Sequence, residues 1–383
     1  MRPSVIHVVS TRFGRADRAA GIGREGFMRE TPLYGEHRAL SGKIVDFNGW
    51  ALPIQFSGIV AEHEHTRTKV SLFDCSHMGE FHIVGDDAIA RYHQTIISDV
   101  HSIAVGRCRL GALLNEEGGI VDDLITVRLA EDELYVVNNA GPLDRVVDAL
   151  TANNPGARNV SFETAKLDVQ GPGARDIVLA AGFGDAASLK YFNARWTEWK
   201  GHKILISRTG YTGEVGYELF VPNEIAPELW KVFLAMDEVE AAGLGARDTL
   251  RTEVGYNLSG QDFDGATLPW EANMEAFVAW DTDFIGKEAL LDKRGTEHRV
   301  LVAIRSSDRR APRHDFEVYS GDDVVGRVTS GTFGPSVGCG VGLARVDPSV
   351  SESGTQLTAG PKRMEIEVTD IPIYKEGTCR KKF

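Results

Sequence analysis

The chain has 383 residues, of which 42% are hydrophobic and 25% are charged, enough for a sizeable core and for two or three domains. Its 42 Lys and Arg against 55 Asp and Glu give a net charge of −13, which argues against a nucleic-acid-binding protein. No run of about 18 apolar residues occurs, so we expect no membrane-spanning helix. The four cysteines lie far apart without zinc-ligand spacing, which indicates a reducing, cytoplasmic environment and no structural metal.

The first 29 residues are rich in arginine and poor in acidic residues, and they lack the apolar stretch of a secretory signal. We interpret residues 1–29 as a disordered N-terminal extension. Met28 stands immediately before the first motif-like segment, so an upstream start explains the extension equally well. An Arg-rich, acid-poor segment is also typical of a mitochondrial transit peptide, which would place the protein in the mitochondrial matrix.

Residues 30–286 alternate between strand-like and helix-like patterns, which predicts a region of mixed α+β structure. Asp86 to Val100 has the acidic start and the spaced apolar residues of a helix, and Leu134 to Asn138 is typical of a strand. Beyond residue 297 the chain changes to short β-rich segments, which are His298–Arg305, Phe316–Tyr319, Val324–Thr329 and Met364–Val368. We therefore predict a separate all-β barrel domain over residues 297–375.

Two adjacent aspartates, Asp122 and Asp123, lie in the second of two predicted strands joined by a glycine turn within residues 113–127. Successive side chains of a strand point to opposite faces, so one of the two carboxyl groups has to face apolar neighbours. A buried carboxylate is costly without a partner, and it is therefore typical of a site that handles a ligand. The alternative is a strand end at which both acids face solvent.

A loop with three glycines, residues 207–216, precedes the predicted strand that carries Glu218. Glu218 would then stand at a face of the sheet, beside Tyr211 of this loop. A carboxylate in that position can accept two parallel N–H bonds, which is what an aminopyrimidinone edge requires. The alternative is an exposed cross-strand glutamate.

Arg247 follows a glycine-containing turn at the predicted start of a helix. A cation in the first turn opposes the helix dipole, so Arg247 is better explained by a carboxylate or other polar partner. A surface salt bridge with Asp248 is the alternative. His77 follows Asp74, Cys75 and Ser76, but sequence adjacency does not make a nucleophilic triad, and we assign His77 a structural role. No nucleotide-binding glycine motif occurs.

Seven segments taken together resemble the aminomethyltransferase family, the T-protein of the glycine cleavage system, and the resemblance runs from Thr31 to the C-terminus. The segments are Thr31–Tyr34, Val45–Trp50, Leu72–Met78, Gly118–Leu124, Arg208–Glu214, Gly243–Arg251 and Val328–Phe333. This resemblance implies an α+β fold in a cloverleaf arrangement, with two folate-enclosing lobes and a C-terminal β-barrel. It also implies tetrahydrofolate as co-substrate in the central cavity.

The same resemblance implies roles for individual residues. Asp123 matches the acidic residue placed at the reactive N10 of the folate, and it is the predicted catalytic residue. Glu218 matches the residue that holds the aminopyrimidinone edge of the pterin. The other positions that match folate-binding residues of the family are Asn138, Tyr211, Tyr191, Met78 and Arg247.

The chain departs from the usual family pattern at three places, which bear on the substrate. Ser259 stands where a tyrosine commonly precedes the next glycine, Asp168 lies in a usually apolar strand, and Trp270 begins an atypical segment. Some relatives demethylate thioethers or aryl ethers, so a tetrahydrofolate-dependent demethylase of a small thioether, ether or amine is the alternative function. The thioether branch replaces the aspartate at the position of Asp123, so its presence here favours glycine cleavage.

The resemblance implies an enzyme that takes an aminomethyl group from the lipoyl arm of H-protein, releases ammonia and forms 5,10-methylenetetrahydrofolate. A carboxylate near N10 can orient the folate and stabilise positive charge, which is the role we assign to Asp123. A folate-binding accessory protein related to iron–sulfur cluster assembly is disfavoured, because residues 283–288 lack the cysteine motif of that branch. The predicted docking residues for H-protein are Arg305, Arg309, Arg310, Arg313, Arg380, Lys381 and Lys382.

Overall fold

A computed structural model describes residues 28–152 and 154–383. Over these residues the chain forms three open sheets, one closed barrel and eight α-helices. The strands are β1 (Arg29–Glu30), β2 (Lys43–Phe47), β3 (Trp50–Gln55), β4 (Val70–Asp74), β5 (Gly79–Val84), β6 (Arg107–Leu114), β7 (Ile120–Ala130), β8 (Glu133–Asn138), β9 (Ala157–Asn159), β10 (Thr164–Gln170), β11 (Ala194–Trp199), β12 (His202–Ser207), β13 (Gly216–Pro222), β14 (Val239–Ala241), β15 (Val300–Ser306), β16 (Glu317–Ser320), β17 (Asp323–Gly334), β18 (Cys339–Val346), β19 (Gln356–Ala359) and β20 (Met364–Thr369). The helices are α1 (Tyr34–Ala39), α2 (Ile59–Thr68), α3 (Asp86–His93), α4 (Leu143–Thr151), α5 (Ala174–Ala180), α6 (Ala226–Leu234), α7 (Leu244–Val254) and α8 (Lys287–Lys293).

The first lobe is built on a five-stranded sheet with the order β6-β7-β8-β5-β9. The predicted glycine-turn hairpin is confirmed as β6 and β7, and Gly118 takes the positive φ of +84° that the turn between them requires. The helix predicted from Asp86 is confirmed as α3, but it ends at His93, because the chain beyond it extends and Ile96 forms a β-bridge with Leu113. Apolar residues of α3 and α4 pack on one face of this sheet.

The second lobe is built on a six-stranded sheet with the order β11-β12-β13-β10-β4-β14. Strand β10 lies inside this sheet, antiparallel to both β13 and β4. Its residues Ala165, Leu167 and Val169 are fully buried in the core of the lobe. Because side chains alternate along a strand, Lys166 and Asp168 of β10 share the opposite face. The face that carries Lys166 is the one that reaches the central cavity.

A three-stranded sheet with the order β1-β3-β2 completes the N-terminal part, and helix α7 packs against β3 and α2. Arg29 belongs to β1, which pairs with β3. The prediction that the disordered extension includes Arg29 is therefore wrong at this residue. The rest of that predicted extension, residues 1–27, lies outside the described residues. Whether it is disordered or a transit peptide stays a prediction.

The C-terminal barrel is confirmed as a closed barrel with the order β15-β18-β17-β16-β19-β20. The sequence analysis missed β18 and β19; Gly338 stands just before β18, and Gly340 and Gly342 lie at its start, which obscures the strand pattern. Arg251 of α7 donates to the Ser330 hydroxyl of β17 over 2.9 Å, which joins the barrel to the first 300 residues. The fold is therefore α+β with a β-barrel domain, as predicted. In the described part of the chain, no helix has the length and apolar content needed to cross a bilayer.

Candidate active site

A cavity of about 680 Å³ lies where the two lobes meet, enclosed also by residues of β2, α7 and the segment 255–277. This volume falls in the range of small-molecule and cofactor sites. Strands β7 and β8 form one wall of the cavity, with Asp123, Ile125 and Val137. Strands β10 and β13 form the facing wall, with Lys166 and Glu218. The cavity thus combines an apolar lining with charged groups on both lobes.

On the first wall, the two aspartates of β7 face different surroundings. Asp123 faces the cavity, whereas Asp122 is fully buried on the other face of the strand. The Asn139 side-chain amide donates to both carboxyl groups, over 2.9 Å to Asp122 Oδ1 and 2.6 Å to Asp123 Oδ1. Asp122 also accepts hydrogen bonds from the Asn139 backbone N–H at 2.8 Å and from the Ser259 hydroxyl at 2.9 Å. The alternative in which both acids face solvent is therefore wrong.

No cation contacts this aspartate pair, among the residues that the structure describes. Burial raises the pKa of Asp122, and the neighbouring Asp123 carboxylate raises it further. Burial also raises the pKa of Asp123, although the hydrogen bond from Asn139 partly offsets this effect. A carboxyl group with a raised pKa can take up or release a proton near neutral pH, as a general acid or base requires.

On the second wall, Glu218 stands on β13 with its side chain 12% exposed. Its Oε1 lies 2.9 Å from the ammonium of Lys166, and its Oε2 accepts a hydrogen bond from the Thr209 hydroxyl at 2.7 Å. Each carboxylate oxygen can accept more than one hydrogen bond, so Glu218 keeps acceptor capacity toward the cavity. The alternative of an exposed cross-strand glutamate is wrong.

Arg247 lines the cavity from the first turn of α7 and contacts a carboxylate, as predicted. Its Nη1 lies 3.0 Å from Oδ2 of the fully buried Asp168, and its guanidinium lies 4.7 Å from the centre of the Tyr211 ring. The alternative partner, Asp248, instead pairs with Arg251 at 2.8 Å. Burial alone would raise the pKa of Asp168, but Lys166 and Arg247 outweigh burial and hold that pKa below its usual value.

Of the four other predicted binding residues, three line the cavity and one does not. Met78, Tyr191 and Tyr211 line the cavity, and the hydroxyl of Tyr211 donates to the backbone carbonyl of Asn257. The side chain of Asn138 does not line it; it fills the space above Gly79 and donates to the backbone carbonyl of the next residue at 2.8 Å. The neighbouring Asn139 lines the cavity instead.

His77 also lines the cavity, although the sequence analysis gave it a structural role. Burial lowers its pKa to about 4, so the imidazole is neutral at pH 7. Its ring meets Phe47 edge-on at 5.3 Å, and its Nδ1 has no hydrogen-bond partner within the described ranges. His77 therefore brings a neutral polar ring to the cavity wall.

Sequence reasoning missed Lys166 and Asn139 as site residues. A signal for Lys166 was present, since Lys166, Asp168 and Gln170 alternate with apolar residues along one strand. Among the departures from the family pattern, Ser259 lines the cavity and Asp168 supports it, as described above. Trp270 is buried outside the cavity lining and packs against His298 at 5.3 Å between ring centres.

Comparisons with known proteins agree with this architecture. The family profile described as the GCVT N-terminal domain matches residues 33–282, and the profile described as the glycine cleavage T-protein C-terminal barrel domain matches residues 299–375. An aminomethyltransferase of Listeria monocytogenes serotype 4b is 37% identical over 91% of this chain and 98% of its own length. One of Thermotoga neapolitana is 36% identical over 92% of this chain and 99% of its own length.

A solved structure gives the same result in three dimensions. The crystal structure of the glycine cleavage system aminomethyltransferase T from Bartonella henselae superposes with a TM-score of 0.86 at 30% identity. The match covers 92% of this chain and 99% of that protein. These relatives do not favour the demethylase alternative or the accessory-protein alternative. The chain belongs to the aminomethyltransferase family of glycine cleavage T-proteins and is an enzyme of the transferase class.

Proposed function

We propose that this aminomethyltransferase binds tetrahydrofolate in the central cavity and receives the aminomethyl group from the lipoyl arm of H-protein. In the reaction, the C–S and C–N bonds of the aminomethyl thioether break, and the carbon forms two new bonds, to N5 and N10 of the folate. The two protons displaced from these nitrogens end on the dihydrolipoyl sulfur and on the departing amine. Ammonia and 5,10-methylenetetrahydrofolate result, and no oxidant is needed.

The observation that carries the proposal is the pairing of Asp123 and Glu218 on facing walls of one cavity of about 680 Å³. The acceptor capacity left on Glu218 fits the N–H donors of an aminopyrimidinone edge. Asp123 lies on the opposite lobe, where its raised pKa suits a group that moves a proton at N10 and stabilises positive charge. Apolar side chains such as Met78 and Ile125 supply the surface for a flat ring.

The H-protein partner requires a docking surface on the chain. Arg309, Arg310 and Arg313 are exposed and surround a second cavity of about 400 Å³ in the barrel, with Phe316 and Phe333 in its lining. The guanidinium of Arg309 lies 4.3 Å from the centre of the Phe333 ring. A basic rim suits an acidic partner, and it would steer association even though the whole chain carries a charge of −13.

The other predicted docking residues have different neighbours. Arg305 pairs with Glu367 at 2.8 Å, and the backbone carbonyl of Lys381 in the C-terminal tail accepts a hydrogen bond from Arg208. Arg310 likewise pairs with Asp308, at 2.6 Å. We therefore assign docking to Arg309 and Arg313 of the barrel cavity rather than to Arg305, Arg310 or the tail residues Arg380, Lys381 and Lys382. We also propose a cytoplasmic location, in line with the bacterial origin of the relatives above.

The test is turnover with aminomethyl-loaded H-protein and tetrahydrofolate, followed by release of ammonia. We expect ammonia in equal amount to 5,10-methylenetetrahydrofolate. Formation of 5-methyltetrahydrofolate from a thioether, ether or amine, without H-protein, would contradict the proposal. For docking, Arg309→Glu with Arg313→Glu should raise the KM for H-protein severalfold and leave the Kd for tetrahydrofolate unchanged. Lys231→Glu, at an exposed lysine outside the lining of both cavities, is the matched control.

A further inference from the structure

Strand register places two acidic side chains opposite each other in the wall of the cavity. Asp168 of β10 pairs directly with Glu218 of β13. Like charges at directly opposed positions of an antiparallel pair repel each other, and the repulsion is stronger here because Asp168 is fully buried. A group with positive charge therefore has to lie between the two carboxylates if both are ionised.

Lys166 is that group. It lies two residues before Asp168 on the same face of β10, and its side chain is only 1% exposed. Its ammonium contacts Asp168 Oδ1 at 2.5 Å and Glu218 Oε1 at 2.9 Å. The charges of Asp168 and Glu218 keep its pKa above the ordinary lysine value although burial opposes them, so Lys166 is a cation at neutral pH.

The second oxygen of Asp168 extends this arrangement to helix α7. Its Oδ2 accepts from Arg247 Nη1 at 3.0 Å and from the Cys75 thiol at 3.3 Å. Glu218, Lys166, Asp168 and Arg247 thus form a chain of alternating charges, which we call the charge chain. Both ends of the charge chain, Glu218 and Arg247, line the cavity. Lys166 also reaches the lining, although its side chain is only 1% exposed, whereas Asp168 does not.

We propose that Lys166 and Asp168 are positioning residues that hold Glu218 and Arg247 in a fixed orientation for the pterin of the substrate. The proposal rests on the proposed binding of tetrahydrofolate and deepens it. Glu218 has free rotation about three side-chain bonds, and a carboxylate that must meet two parallel donors loses binding when it rotates. Lys166 at one oxygen and Thr209 at the other fix the plane of this carboxylate.

Lys166 and Asp168 make β10 unusually polar for a strand in the interior of a sheet, and this is visible in the sequence. The other face of β10 is apolar and fully buried, so the fold itself does not require charges in this strand. Buried ion pairs add little net stability compared with apolar residues of similar size, because desolvation offsets their attraction. The presence of these charges at the wall of a cavity is therefore better explained by the orientation of Glu218 and Arg247, which face the ligand.

The experiment measures the Kd of tetrahydrofolate and of 6-methyltetrahydropterin by titration calorimetry for the full-length chain and its variants. Lys166→Met removes the ammonium and keeps an unbranched side chain. We expect it to weaken binding of both ligands by the same factor, roughly 10- to 100-fold. Lys231→Met, at an exposed lysine outside the cavity lining, is the control and should bind like the wild type.

A double variant separates positioning from a general effect on folding. If Lys166 acts through Glu218, then Lys166→Met should cause no further loss of affinity in a Glu218→Gln background, whereas independent effects would multiply. Asp168→Asn, which removes a charge at nearly constant volume, provides the second variant. It should weaken binding in the wild-type background and cause no further loss in an Arg247→Gln background.

The outcomes distinguish this inference from the function on which it rests. A wild-type chain that binds neither ligand would overturn both proposals. If the wild type binds and either Lys166→Met or Asp168→Asn binds with unchanged affinity, only the role of the charge chain is overturned. The same conclusion follows if the losses of affinity multiply in both double variants. If Lys166→Met does not fold, the role of the charge chain is decided by Asp168→Asn, measured in the wild-type background and in the Arg247→Gln background.

Discussion

Asp122 and Asp123 on the first wall of the cavity contact only neutral donors, an amide and a hydroxyl, in the described structure. Across the cavity, Asp168 and Glu218 contact Lys166, and Asp168 also contacts an arginine. Both walls bury carboxyl groups on strands inside a sheet. They differ in whether the partners of these groups carry charge.

This difference in partners sets opposite protonation behaviour. Burial raises the pKa of Asp122 and Asp123, because neutral donors compensate only part of the lost hydration. Burial acts on Asp168 in the same direction, but two cations reverse the effect and its pKa lies below the ordinary value. One residue type therefore supplies a group that exchanges protons on the first wall and a fixed negative charge on the second.

The largest expected effect concerns the proton-exchanging wall. Asp123→Asn should lower kcat by a factor on the order of 10²–10⁴, because the amide cannot take up a proton, and it should change the Kd of tetrahydrofolate much less. Single-turnover measurements with aminomethyl-loaded H-protein would show this. Asp144→Asn makes the same chemical change on the exposed face of α4 and serves as the control. An unchanged kcat would remove Asp123 from the mechanism.

The second effect concerns the wall with fixed charge. Glu218→Ala should weaken binding of tetrahydrofolate by ~1.5–3 kcal/mol, because a charged acceptor for two N–H donors is lost. The loss should exceed that of Asp123→Ala in the same titration. If affinity is unchanged in the Glu218 variant, the two walls do not divide binding and proton exchange as we propose.

The sequence predicted part of this comparison. Alternation in β7 identified a buried carboxyl group, and the position of Arg247 at a helix start identified a residue that needs an acidic partner. The partner itself, Asp168, is 79 residues away, and its approach depends on how α7 packs over the second sheet. Whether Asn138 or Asn139 lines the cavity depends on which of these two successive side chains faces it. A sequence pattern at the end of a strand does not fix that register.

The third effect concerns stability as a function of pH. Asp122, whose pKa is raised, favours the folded state when protonated, so its contribution is lost as pH rises through the raised pKa. Asp168, whose pKa is lowered, stabilises the fold above the ordinary aspartate pKa of about 3.9, and that contribution is lost only at lower pH.

The variants Asp122→Asn and Asp168→Asn test these opposite signs by urea unfolding at about pH 5 and about pH 8. Relative to the wild type, Asp122→Asn should be less destabilising at the higher pH, because the wild type then carries the unfavourable charge. Asp168→Asn should be destabilising by a similar amount at both values. The same trend with pH in both variants would show that the two walls do not differ in protonation.

The smallest effect concerns Ser259, a cavity residue that contacts the first wall. Its hydroxyl donates to Asp122 Oδ1 at 2.9 Å and lowers the pKa of Asp122 against the larger effect of burial. Ser259→Ala should therefore raise the pKa of Asp122 further and destabilise the fold by about 1 kcal/mol, the usual net value of one hydrogen bond. Ser259→Thr keeps the hydroxyl and is the matched control. Infrared or NMR titration of the carboxyl groups in both variants would measure the shift. If the pKa of Asp122 is the same in both, the Ser259 hydroxyl does not affect it, and burial, the Asp123 carboxylate and the donors on Asn139 set the protonation of Asp122.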